Sequence, residues 1–162
     1  MSDLYRAALA GGLVGTVVMT TVLRASSELG ITRMDLPFLL GTAFTDNRRR
    51  AKVYGHLAHF VFGLLFALGY AFVFDATGRA GWRVGMVMGV VHAAFVATTL
   101  VNVLLPIVHS RIGTPETGAD EVALLEPPGF MMLNYGRRTF WVTLLAHMAY
   151  GGIVGWACAN MS

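Results

Sequence analysis

Four stretches of this chain contain no Asp, Glu, Lys or Arg: 7–23, 53–74, 84–110 and 139–162. They hold 17, 22, 27 and 24 residues, which is 90 of the 162 in the sequence. A helix needs about 20 apolar residues to cross the hydrocarbon core of a bilayer, so four crossings use most of the chain. Hydrophobic residues make up 56% and charged residues 13%, against about 25% charged in a soluble domain. The fold class this implies is all-α, a polytopic membrane four-helix bundle forming one domain over 1–162. Its spans are expected at about 7–29, 53–75, 84–107 and 139–161, with long loops at 30–52 and 108–138. A water-soluble enzyme domain, a disulfide scaffold and a disordered tail are excluded. The single cysteine, Cys158, forbids an internal disulfide and a cysteine-rich metal site.

The net charge of +3 rests on eleven arginines and one lysine, Lys52. These cations flank the apolar stretches and form no separate basic face, so nucleic acid is not an expected partner and lipid headgroups are. Four spans put both termini and the short 75–83 connection on one side, with Arg6, Arg79 and Arg83. The other side carries the remaining nine cations: Arg24, Arg33, Arg48, Arg49, Arg50, Lys52, Arg111, Arg137 and Arg138. Excess Lys and Arg marks the cytoplasmic side. The expected placement is a bacterial inner membrane, termini outside and long loops cytoplasmic. Arg6 before an apolar run has the outline of a signal peptide, but Asp3 and the poor cleavage site Ala25-Ser26-Ser27 favour a retained first span.

The two long loops share a pattern. Asp35-Leu36-Pro37-Phe38-Leu39-Leu40 and Glu126-Pro127-Pro128-Gly129-Phe130-Met131-Met132 each run from an acid through proline and phenylalanine to an apolar pair. Both are too short to cross and read as interfacial or re-entrant segments, or as loop packed on the bundle end. Spans two and four repeat Ala-His-x-x-aromatic-Gly, at 58–63 and 146–151. The chain therefore reads as two duplicated helical hairpins, 1–75 and 76–162, related by an axis along the membrane normal.

Each span carries small residues four apart: Gly11 and Gly15, Gly63 and Ala67, Gly85 and Gly89, Gly151 and Gly155. Such rows lie on one helix face. Lipid supplies no hydrophobic drive between helices, so close backbone approach through small residues holds them. Pro106 is expected to kink or end span three.

Histidines are the chemistry inside the spans, whose charge-free stretches contain no Asp or Glu. Counting about 1.5 Å per residue from each span's middle puts His59 and His147 about 7 Å and 5 Å toward the loop side. His92 falls about 7 Å the opposite way. His56 is one turn beyond His59, and His109 is at the interface. Three readings stand: neutral imidazoles bonding across helices; a ligand site, with His59 and His147 as axial ligands of haem b or His56, His59 and His147 holding a metal ion; or a proton or substrate path. Contact between Gly63 and Gly151 would leave no space for a porphyrin, whereas a groove between them would make room. Glu28 could complete a metal site or simply end span one in water.

The weaker candidates are the polar stretch 114–126, read as an exposed partner-binding segment, and His109-Ser110 near Glu116 as a nucleophilic arrangement. Interfacial ion pairs are expected for Asp35 with Arg33, and for Glu126 with Arg137 or Arg138. No G-x-S-x-G, phosphate-binding glycine loop or zinc-protease motif occurs.

Gly12-x-x-Gly15-Thr16-x-x-Met19-Thr20, Arg33-Met34-Asp35-Leu36 with Leu40-Gly41-Thr42, His59 with Gly63, and His147-x-x-Tyr150-Gly151 resemble an uncharacterised family of small four-span bacterial integral membrane proteins. The resemblance covers spans one, two and four and is poor through 110–138. It implies fold and membrane location, and no activity or catalytic residue. The expected role is non-catalytic: an accessory or structural subunit of a membrane complex, or a homo-oligomer. Haem or metal binding through the intramembrane histidines is the alternative.

Overall fold

The computed structural model describes residues 3–109, 112 and 125–161. Its elements are α1 (Asp3–Glu28), α2 (Leu36–Thr42), α3 (Arg48–Thr77), α4 (Trp82–Phe95), a π-helical segment (Val96–Leu104), α5 (Leu105–Val108), a 3₁₀ segment (Phe130–Tyr135) and α6 (Thr139–Asn160). α4, the π segment and α5 form one continuous rod, Trp82–Val108. That rod, α1, α3 and α6 are each long and apolar enough to cross a membrane. The architecture is an all-α four-helix bundle.

Local chemistry sets the helix ends. Asn47 caps α3 by accepting from the backbone N–H groups of Arg49 and Arg50, both at 3.1 Å, so α3 starts at Arg48, before its charge-free stretch. Gly78 closes α3 at φ +65, and Gly81 opens α4 at φ +146. A side chain rarely adopts such backbone angles. The start of α1 and the end of α6 lie together, where Cys158 Sγ donates to the Leu4 carbonyl at 3.9 Å. The long loops meet at the other end. Thr32 and Thr139 hydroxyls are 2.6 Å apart, and the Arg33 N–H donates to the Tyr135 carbonyl at 3.0 Å.

α6 is the centre of the bundle. A Cβ on Gly11 would strike Ala157, and one on Gly15 would strike Tyr150, so α1 seats on α6. Gly85 faces Gly151 and Gly155, and Gly89 faces His147 and Met148, so α4 seats on the other flank. α3 packs on α1, with Gly12 against Ala67 and Gly63 against Thr16. Gly63 and Gly151 therefore do not bring α3 and α6 together, and no groove runs between them; each is filled by a different neighbour. α3 and α4 meet only through side chains: Phe66 lies 3.8 Å from the His92 ring centroid and 6.4 Å from Phe95. An exact two-fold between the hairpins would make the α1–α6 and α3–α4 contacts equal. One is sealed by glycine and the other is propped open by rings.

The likeness between the loops ends at sequence. Asp35 caps α2, its Oδ1 accepting from the Phe38 N–H at 3.0 Å, and α2 is seated on α3 where Gly41 meets Ala51 and Gly55 meets Pro37. Among the described residues Glu126 caps no helix. It pairs with Arg33 at 3.3 Å, and the following segment holds Met131 and Met132 at φ 52 and 58. The left-handed region costs a non-glycine residue about 1–2 kcal/mol.

Pro106 does not end its helix. A proline ring collides with the carbonyl four residues earlier, here that of Asn102. The chain answers by widening before it: the Leu105 N–H reaches the Leu100 carbonyl, five residues back. The Asn102 side chain donates to the Ala97 carbonyl at 2.8 Å. Outward-facing Val14, Leu57, Leu65, Val87, Val91 and Leu145 are all more than 50% exposed, a belt suited to hydrocarbon.

Candidate functional site

Five elements enclose a cavity between α3 and the α4 rod. Met19 of α1, Leu36 and Leu40 of α2, His59, Phe62 and Phe66 of α3, His92, Val96 and Leu100 of the α4 rod, and His147 of α6 line it. Its volume, counted as space that the centre of a water molecule can reach, is ≈ 40 Å³. One water needs about 10–15 Å³ on that measure, so the cavity takes a few small molecules at most. α2 supplies the floor. Its apolar face is buried, and the His109 Nε2 lies 3.1 Å from both the Leu39 carbonyl and the Thr42 hydroxyl, holding the short helix against the end of α5.

Three histidines face this space, and all are buried: His59 at 4%, His92 at 7% and His147 at 2% exposure. The His147 Nδ1 lies 2.8 Å from the Thr143 carbonyl. A carbonyl only accepts, so Nδ1 carries the proton and Nε2 presents a lone pair. Thr143 is itself held, its hydroxyl donating to the buried Met132 Sδ at 3.8 Å. The His92 ring stands perpendicular to His147, with centroids 4.6 Å apart, and its Nδ1 is 3.5 Å from the Tyr70 hydroxyl. His59 Nε2 is buried and, among the described residues, has no hydrogen-bond partner. A buried polar atom without a partner costs about 1–3 kcal/mol, which makes this nitrogen the chemical anomaly of the bundle.

The sequence pairing of His59 with His147 thus needs His92 added and His56 removed. Depth counting put His92 on the far side because it assumed that all spans are centred on one plane. Glycine register overrides that assumption: with Gly85 on Gly151 and Gly89 on His147, the next turn of α4 brings His92 beside His147. The antiparallel glycine rows were the available signal. His56 is half-buried and bonds its own helix, Nδ1 to the Lys52 carbonyl at 2.7 Å. Among the described residues no three His, Cys, Asp or Glu side chains gather for a metal ion, so His56, His59 and His147 do not form one centre. Haem does not fit between His59 and His147 either: the cavity is too small, and Thr16 and Gly85 occupy the space beside Gly63 and Gly151.

The other candidates fall away from the cavity. Glu28 pairs with Arg24 at 2.8 Å on an exposed surface. Asp35 caps α2 rather than pairing with Arg33, and Glu126 takes Arg33 rather than Arg137 or Arg138. Ser110, Glu116 and the stretch 114–124 lie outside the described residues. Among the described residues no carboxylate, thiol or hydroxyl lines the cavity. It offers imidazole lone pairs in apolar walls, able to accept a hydrogen bond or to coordinate, with no nucleophile for them to activate. Set against protein-family models, curated proteins and solved structures, the chain matches none of them.

Proposed function

We propose that this chain is a non-catalytic integral membrane protein, an accessory subunit of a membrane assembly built from its own copies or from other proteins, that holds a small electron-pair-accepting ligand (a hydrogen-bond donor or a cation) between His59, His92 and His147. The observation that carries the ligand is the buried, partnerless His59 Nε2 on the wall of a cavity it shares with two more imidazoles. Neutral imidazole nitrogens in apolar surroundings ask for a hydrogen-bond donor or a cation. The nine cations on the loop side, against three on the terminal side, support a bacterial cytoplasmic membrane with the long loops inside.

Nitrogen NMR of histidine-labelled protein in lipid nanodiscs tests the ligand. His59 Nε2 is expected to report a bound partner in protein taken from native membranes and to lose it after stripping. An Nε2 that is bare in both samples would overturn it. Crosslinking in the native membrane tests the subunit role: a ladder of copies or a stoichiometric partner is expected, and a lone monomer would overturn it.

A further inference from the structure

We infer that the cavity ligand is a univalent soft metal cation, of the Cu(I) class, held by His59 and His147 with the thioether side chain of Met19 and with His92 beside it. The inference rests on the reading that the cavity takes a ligand, and it names which. Three observations carry it. First, the donors are neutral. Among the described residues the cavity wall holds imidazoles and Met19 and no carboxylate or thiolate, and the stretches 7–23, 53–74, 84–110 and 139–162 contain no Asp or Glu to balance charge. Moving an ion out of water costs in proportion to the square of its charge in the Born picture. A divalent ion without an anionic ligand therefore pays about four times the penalty of a univalent one. Second, the donor types are soft or borderline; thioether and imidazole select Cu(I), whereas hard divalent ions need oxygen. Third, the number of donors is low. No three His, Cys, Asp or Glu side chains gather among the described residues, which fails the four-ligand cage a structural zinc requires. Two imidazoles and a thioether suit the two- or three-coordinate geometry of a d¹⁰ univalent ion.

The local structure prepares these donors. The Thr143 carbonyl fixes the His147 proton on Nδ1 at 2.8 Å and leaves Nε2 for a metal, the arrangement by which outer-shell bonds orient ligating histidines. His59 Nε2 lacks any competing partner. Met19 is buried at 3% exposure and lines the same cavity. No electron transfer is involved; the ion arrives and leaves as Cu(I).

The test is anaerobic titration of the full chain in nanodiscs with Cu(I) against a competing chelator. It uses a Cys158→Ala background, so that the only thiol is absent, with X-ray absorption at the copper edge. One equivalent is expected per chain, with nitrogen and one sulfur neighbour. Met19→Leu is expected to remove the sulfur signal and weaken binding by at least the roughly 10- to 100-fold that loss of an outer-shell partner alone costs at metal sites. His59→Phe is expected to abolish uptake while the helices stay folded, and His56→Gln to leave it unchanged. Copper bound equally well by the His59→Phe protein, or Zn²⁺ retained as firmly as Cu(I), would overturn the inference. A protein that takes no copper while His59 Nε2 still reports a bound small hydrogen-bond donor overturns the metal alone. A cavity with neither overturns the ligand reading as well.

Discussion

The two flanks of α6 and the seam between α3 and α4 solve the same problem in opposite ways. Along α1–α6 and α4–α6, glycine lets one backbone rest on another: Gly85 and Gly151 each leave no room for a Cβ on the other. Along the α3–α4 seam there is no facing glycine pair, and Phe66, Tyr70, His92 and Phe95 hold the helices apart. In an apolar solvent close approach is what binds helices, so the sealed flanks should carry stability. The propped seam leaves space, and in that space sits a polar nitrogen without a partner.

The sharpest way to break this contrast is to put a side chain into the sealed flank. Gly85→Leu or Gly151→Val drives carbon into the opposing backbone. It should cost about 3 kcal/mol or more, the upper end of overpacking penalties, read as a shifted midpoint of unfolding in mixed detergent. Gly152→Ala is one residue from Gly151, yet its Cβ would come closest to the flexible Met86 Cγ at 3.2 Å, with the Trp82 carbonyl at an ordinary 3.8 Å. It should shift the midpoint by less than about 1 kcal/mol, since alanine also favours helix. Equal effects at 151 and 152 would mean that the flank is not sealed by backbone contact.

How far the sequence reveals this division depends on the residue type. The absence of charge over 90 residues states the fold outright, because lipid tolerates only helices and closed barrels, and stretches of 17 to 27 residues without a charge match the length of a spanning helix rather than of a barrel strand. Glycine rows likewise announce that helices touch. Which helix touches which is not written there: Gly63 and Gly151 occupy matching places in the repeat but face Thr16 and Gly85. His92 was misplaced for the same reason, since register comes from paired glycines and not from distance to a span's middle. The role of α2 was only half legible. Asp35 and Pro37 mark a helix start, but nothing local says that Leu36 and Leu40 floor a cavity.

Within the core, Tyr150 ties α6 directly to α3, its hydroxyl donating to the Gly63 carbonyl. Tyr150→Phe keeps the ring and strands that carbonyl, so about 1 kcal/mol should be lost. On the seam the sign should reverse. His59→Phe in ligand-free protein removes an unpartnered nitrogen and should leave stability unchanged or raise it by up to about 1 kcal/mol. Clear destabilisation by both variants in the same detergent titration would erase the distinction between flank and seam.

The smallest effect concerns the loop end, where both halves are tied outside the spans. Tyr135 donates to the Glu126 carbonyl at 2.6 Å. Burial first, then the nearby Glu126 carboxylate, pushes its phenol up to about 12 from an ordinary 10, with the Arg33 guanidinium pulling the other way. A proton held more tightly in the folded chain stabilises it fully below the unfolded value, and that contribution fades as pH rises through the folded one. The tether should therefore be intact at pH 9 and be lost between about 10 and 12, as the phenolate can no longer donate to a carbonyl. Amide exchange at Arg33, whose N–H bonds the Tyr135 carbonyl, should rise over that window beyond the intrinsic base-catalysed rate. Exchange at Gly85 and Gly89 should not. Tyr135→Phe should abolish the step; if the variant kept it, the titrating group would lie elsewhere and the loop would not be held by this phenol.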